Sequence, residues 1–119
     1  MLQEYIGKQP HLEVIEINFK TNVFLVALAV CVQPAVIEEL FFRYSCLGHL
    51  RKVMNVHGAI WVSAVMFGLA HLHNPIGMPV LIVIGAGFGY MRVASGSLAL
   101  PIILHGLHNA AVLLMEGKV

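Results

Sequence analysis

Residues 22–47 read NVFLVALAVCVQPAVIEELFFRYSCL, and this stretch decides the fold. It is apolar and long enough to cross a bilayer, which takes about 20 residues as a helix, range 17–25. Inside it lie Glu38, Glu39 and Arg43. Three unpaired charges at bilayer depth would cost roughly 8–10 kcal/mol, at about 2.5–3.5 each. The dozen or so Val, Leu, Ile and Phe between Val23 and Phe42 return only about 4–7 kcal/mol, at 0.3–0.6 each. The segment is viable only if charges pair, lie near an interface, or face a hydrated cavity. On a helix Glu39 and Arg43 are i,i+4 neighbours and can pair, while Glu38 points about 100° away.

Outward from this stretch the rest of the chain repeats the pattern. Three further apolar segments follow, from about Gly58 to Leu72, Met78 to Ala94 and Leu98 to Met115. The segments at Gly58 to Leu72 and Met78 to Ala94 are short for a full crossing, so tilt, local thinning or partial spanning is expected. The breaks carry turn chemistry: Arg51, Lys52 and Asn55, then His73-Asn74-Pro75-Ile76-Gly77, then Ser95-Gly96-Ser97. The chain of 119 residues is 59% hydrophobic and 11% charged, against about 25% charged in soluble domains. The expected fold is all-α, a polytopic transmembrane bundle of about four helices, and the expected location is integral membrane, multi-pass. Residues 22–116 form the core; residues 1–21 read as an interfacial or flexible lead. That lead holds Glu4, Glu13 and Glu16 and no continuous apolar core, so it shows no cleavable signal pattern and the later helices would drive insertion.

Composition removes several classes. A net charge of +1 without a basic cluster gives no reason to expect nucleic acid. Cys31 and Cys46 have no ligand spacing and read as small hydrophobes. Positive-inside reasoning places the 44–56 and 92–97 loops, with Arg51, Lys52 and Arg92, in the cytoplasm. The run from Gly85 through Gly87 to Gly89 has Tyr90 where a dinucleotide fingerprint needs its last glycine, and no acidic residue follows until Glu116. Gly85 and Gly89, four apart, read instead as a small-xxx-small packing face.

Two more polar sets lie in the apolar segments. Phe67 precedes His71 by one turn, and His105 and Asn109 project together at i,i+4, with His108 at a neighbouring edge. A carboxylate, two histidines and an amide converging from three helices can do one of two things. Glu38, His71 and His105 can hold a divalent metal such as zinc, with an open position for water. Alternatively Glu38 and His71 activate water directly, with His105 and Asn109 donating to the oxyanion. Both hydrolyse a carbonyl. His11, His49, His57 and His73 read as histidines satisfied by backbone carbonyls. A redox protein holding haem through His71 and His105 is a third reading, though it gives no reason for Glu38, Glu39 and Arg43.

The order EExxxR, FxxxH, HxxxN resembles the three motifs of the CPBP family, the CAAX proteases and bacteriocin-processing (Abi-like) enzymes, from about Pro34 to Leu114. The resemblance implies an all-helical intramembrane endopeptidase acting on a peptide or protein at the bilayer. Glu38 would be the general base, Glu39 and Arg43 its support, and His71 its water-orienting or metal-binding partner. His105 and Asn109 would complete the centre. The resemblance leaves a metallo- and a metal-free glutamate mechanism both open. Family members generally carry further membrane helices ahead of the first motif, so the expectation is a minimal or truncated member, or walls supplied by self-association or partner helices. The alternative function is a non-catalytic immunity or scaffold protein that keeps the fold.

Overall fold

The computed structural model describes residues 22–116; the lead at 1–21, with His11, lies outside them. The described residues are helical, with no strand among them, and form four rods: α1 (Phe24–Leu50), α2 (Val56–Leu69), α3 (Met78–Ser95) and α4 (Ala99–Met115). The all-α, four-helix expectation is met.

Helix α1 is not one regular helix, which sequence periodicity did not anticipate. Asn22 caps it, its side chain accepting from the Leu25 amide at 3.1 Å. Two π-helical stretches, Leu28–Val32 and Leu40–Cys46, flank an α-helical turn pair at Gln33–Glu39. The first has a local cause. Pro34 lacks an N–H, and its ring would clash with the carbonyl four residues earlier, so the preceding turn widens. The second contains neither Pro nor Gly and begins directly after the carboxylate pair.

The other boundaries follow from caps. Asn55 opens α2, accepting from the Gly58 amide at 2.6 Å. Helix α2 ends at Leu69 rather than at Leu72, and His71 lies in the turn beyond it. There the His71 amide bonds the Gly68 carbonyl at 3.0 Å, a tight i→i+3 closure before Asn74-Pro75, where helix cannot continue. Pro79 stands in the first turn of α3, where its missing N–H leaves nothing unpaired. Gly96, at φ 66°, ends α3 and bonds the Arg92 carbonyl at 3.1 Å. Ser95 belongs to the helix, so α3 reaches 18 residues and is long enough to cross a membrane. The short helices are therefore α2 and α4, at 14 and 17 residues, not α2 and α3 as the segment lengths suggested.

Packing is tightest between α2 and α3, around Leu47, Ala59, Ile60, Ala64 and Ala86. Gly85 and Gly89 make the approach possible, as small-xxx-small packing requires. A Cβ on Gly89 would stand 2.9 Å from Ile60 Cγ2, and one on Gly85 would stand 3.0 Å from Phe67 Cδ1. The outer faces are apolar: Ile37, Phe41, Val83, Ile103 and Leu107 are all exposed. Such a surface is stable against hydrocarbon, not water.

Ile60 is fully buried and has no room to yield. Gly89→Val should therefore destabilise the bundle by about 1–3 kcal/mol through overpacking. A lower midpoint of thermal unfolding in detergent measures it, and an unchanged midpoint would mean that α2 and α3 do not meet at Gly89.

Candidate active site

The site begins with an ion pair that has no contact with solvent. Arg43 Nη1 donates to Glu39 Oε1 at 3.0 Å, and Arg43 Nη2 donates to the Gly85 carbonyl at 2.7 Å. Both side chains have zero exposure. The guanidinium carbon lies 4.7 Å from the Phe67 ring centre and 5.4 Å from that of Phe88, within cation–π range. Such a pair gains from each further hydrogen bond that offsets the cost of taking its charges out of water. Gly85 supplies one of them because, lacking a Cβ, it lets the α3 backbone reach the guanidinium. Glu39 Oε2 and Arg43 Nε stay without partners.

Glu39 Oε1 is shared. His105 Nδ1 lies 2.7 Å from it. That oxygen belongs to a carboxylate that also accepts from Arg43, so Nδ1 carries a proton and donates it. Nε2 stands 3.3 Å from Glu38 Oε2. His71 is arranged alike: its Nδ1 lies 2.8 Å from the Phe67 carbonyl, which can only accept, and its Nε2 is 3.8 Å from Glu38 Oε1. Each oxygen of Glu38 thus faces one imidazole nitrogen. Exposure separates the roles. The side chains of Glu38 and His71 are 28% and 22% exposed, that of His105 only 3%.

A cavity of about 430 Å³ adjoins this centre, lined by His71, His105, His108 and Asn109 together with apolar residues such as Leu81 and Ile84 of α3. Asn109 is one turn from His105 and donates from Nδ2 to the Cys31 carbonyl at 3.2 Å. That bond fastens α4 to the first π-helical stretch of α1. The six residues expected from the sequence are accordingly placed as follows. Glu38, Glu39, Arg43, His71 and His105 form one contiguous set of contacts, and Asn109 flanks it on the cavity wall.

The outlying histidines differ from one another. His49 Nδ1 pairs with the Ser45 carbonyl at 2.6 Å, as expected, whereas His57 pairs with the Tyr90 hydroxyl at 2.8 Å. His73 is exposed at the cavity, its ring 5.8 Å from that of His71. The haem reading fails, because Nε2 of His71 and of His105 converge on one carboxylate and leave no space for a porphyrin.

Two functional residues escaped the sequence. Gly85 read only as a packing glycine, although its carbonyl holds Arg43. Phe88 stacks on His105 with centroids 5.3 Å apart and planes at 23°. The available signal was spacing, since Phe88 is i+3 from Gly85 and shares its face.

A divalent metal would draw on these same donors. Two imidazole Nε2 atoms and a carboxylate are suitable types, and both Nδ1 atoms are tied to acceptor oxygens, as second-shell bonds tie metal ligands. Yet among the described residues no three His, Cys, Asp or Glu are grouped as metal ligands are.

Over residues 20–111 the sequence matches the family model for type II CAAX prenyl endopeptidases, Rce1-like. The chain belongs to this family. Rce1-like proteins are membrane-embedded CAAX-type endopeptidases, in keeping with the motif resemblance. No curated protein and no solved structure matches the chain.

In this Rce1-like chain the Glu39–Arg43 pair should prove structural. Breaking a buried pair costs about 3–5 kcal/mol, so Glu39→Gln should lower folded yield, and adding Arg43→Met should recover part of it. A double-mutant cycle on unfolding midpoints measures the coupling; zero coupling would mean the pair carries no stability.

Proposed function

We propose that this protein is a multi-pass intramembrane endopeptidase in which Glu38 acts as general base on water, without a metal. The observation that carries the reading is the facing of both Glu38 oxygens by imidazole Nε2 atoms. A carboxylate oxygen and a neutral Nε2 are both acceptors, so a water between Glu38 and His71 donates one hydrogen to each. Its lone pair then points toward the cavity, where a peptide carbonyl can meet it.

As the water oxygen bonds the carbonyl carbon, its proton passes to Glu38. The C–N bond then breaks and Glu38 returns that proton to the leaving nitrogen, giving a carboxylic acid and an amine. Charge develops on the carbonyl oxygen in between. Asn109 has a second amide hydrogen beyond the one given to Cys31, and it lines the same cavity, so it suits the oxyanion. His105 supplies a second donor when its Nε2 is protonated, and Glu39 stabilises that charge. The family description points to a prenylated C-terminal peptide as substrate. The apolar lining of the cavity is compatible with one.

In this reading all four helices cross the bilayer, with the shorter α2 and α4 accommodated by tilt or thinning. The bilayer is then the first partner of the outer face. A second copy or partner helices would complete the walls.

The test is cleavage of prenylated and unprenylated peptides by purified protein in lipid. Glu38→Gln keeps size but not basicity, and should lower kcat at least 10²-fold, in line with loss of general base catalysis. Wild-type cleavage by that variant would remove Glu38 from the mechanism. Exhaustive chelation should leave activity intact in metal-free protein. Activity lost on chelation and restored by zinc would instead make Glu38, His71 and His105 ligands.

A further inference from the structure

We propose that Phe88, outside the three motifs, is a positioning residue that holds the His105 ring in its working plane. The proposal rests on the reading of Glu38 and His105 as the hydrolytic centre.

His105 has to aim two nitrogens at once, Nδ1 at Glu39 Oε1 and Nε2 at Glu38 Oε2, at 2.7 and 3.3 Å. Those partners restrain the ring along its own plane. They resist a tilt out of that plane only weakly, because hydrogen bonds tolerate bending far better than a packed face tolerates overlap. The out-of-plane restraint is aromatic. Phe88 lies nearly parallel to the imidazole, and Phe67 meets it edge-on with centroids 5.6 Å apart and planes at 87°. One ring thus stacks on the imidazole and the other meets it at a right angle, and a tilt out of plane would disturb both contacts.

Phe88 is itself held. It is 5% exposed, and the Arg43 guanidinium also lies against its ring. One side chain therefore lies against both the fixed cation of the site and the histidine that faces Glu38. The negative face of its ring is compatible with both. An aliphatic residue would fill the volume without supplying the plane.

Phe88→Leu tests this, with Phe88→Tyr restoring the ring. Should Phe88→Leu not yield monodisperse protein, Phe88→Met replaces it, since a flexible thioether fills irregular space. In lipid-reconstituted full chain, the Leu variant should lose about 10²-fold in kcat, the scale of a 1 Å misplacement. KM should stay within about twofold, because the ring acts on charge and geometry of the reacting centre rather than on substrate affinity. The Tyr variant should recover most of the loss. A folded Leu variant with near-wild-type kcat, or a loss that Tyr does not reverse, overturns the proposal.

A second readout does not depend on activity. In protein carrying ¹⁵N-histidine, the His105 ring signals, assigned by their disappearance in His105→Gln, should shift or broaden in Phe88→Leu. Unchanged ring signals overturn the positioning role even if wild-type protein cleaves no peptide. Absence of wild-type cleavage alongside shifted signals counts against the hydrolytic reading and not against the positioning of His105 by Phe88.

Discussion

A guanidinium on an apolar helix has to be enclosed before that helix is stable, and in this bundle that enclosure organises everything else. A central Arg costs about 2.5–3.5 kcal/mol on insertion scales and far more in simulations of an isolated helix. Arg43 meets this with Glu39 on its own helix, the Gly85 carbonyl on α3, and the faces of Phe67 and Phe88. Each partner imposes a condition in turn. Residue 85 needs a bare backbone, α2 must bring Phe67 alongside, and Glu39 must turn Oε1 toward α1's next turn. That same oxygen then holds the His105 Nδ1 and sends its Nε2 toward Glu38. The surroundings of the open carboxylate are thus set two contacts away, by a buried charge that solvent does not reach.

Adjacent glutamates acquire opposite characters for a geometric reason. Successive residues on a helix diverge by about 100°, so when Glu39 is turned into the bundle Glu38 faces His71 and His105 and stays partly open. Glu39 has no exposure and Glu38 keeps 28%. One carboxylate is spent on structure, and the other can meet water. That division was legible in the sequence, because pairing at i,i+4 selects Glu39 for Arg43 and leaves Glu38 over. The number of helices was also legible, since apolar length and Asn, Pro and Gly punctuation are local properties.

What lay beyond the sequence is what depends on two helices meeting. No pattern along the chain shows that the Gly85 carbonyl lies under Arg43, or that Phe88 lies on His105, because those contacts exist only after α1, α3 and α4 are docked. The break at Leu69 was half-visible: Asn74-Pro75 announces a stop, but the tight closure at Gly68 places it three residues earlier than hydropathy does. Asn109 was marked as polar and inward, while its bond to the Cys31 backbone depends on α1 being widened near that residue.

That widening gives the bundle its phase. A π turn closes i→i+5 where an α turn closes i→i+4, so each π stretch sets back the face presented by all residues after it. Two such stretches bracket Gln33–Glu39. The residues before, between and after them therefore need not share one 3.6-residue stripe. Along α1 the buried positions are Cys31, Ala35, Glu39, Phe42, Arg43 and Leu47, spaced mostly by four. A strict α-helix would carry a four-residue repeat steadily around its axis and away from α4 and α2. The wider turns counter that drift, which keeps Cys31 beside Asn109, Glu39 beside His105 and Leu47 in the α2–α3 core on a single rod. Pro34 accounts for the first stretch; the second coincides with the enclosed guanidinium, whose fixed contacts to Glu39 and Gly85 hold α1 in the register the carboxylates require.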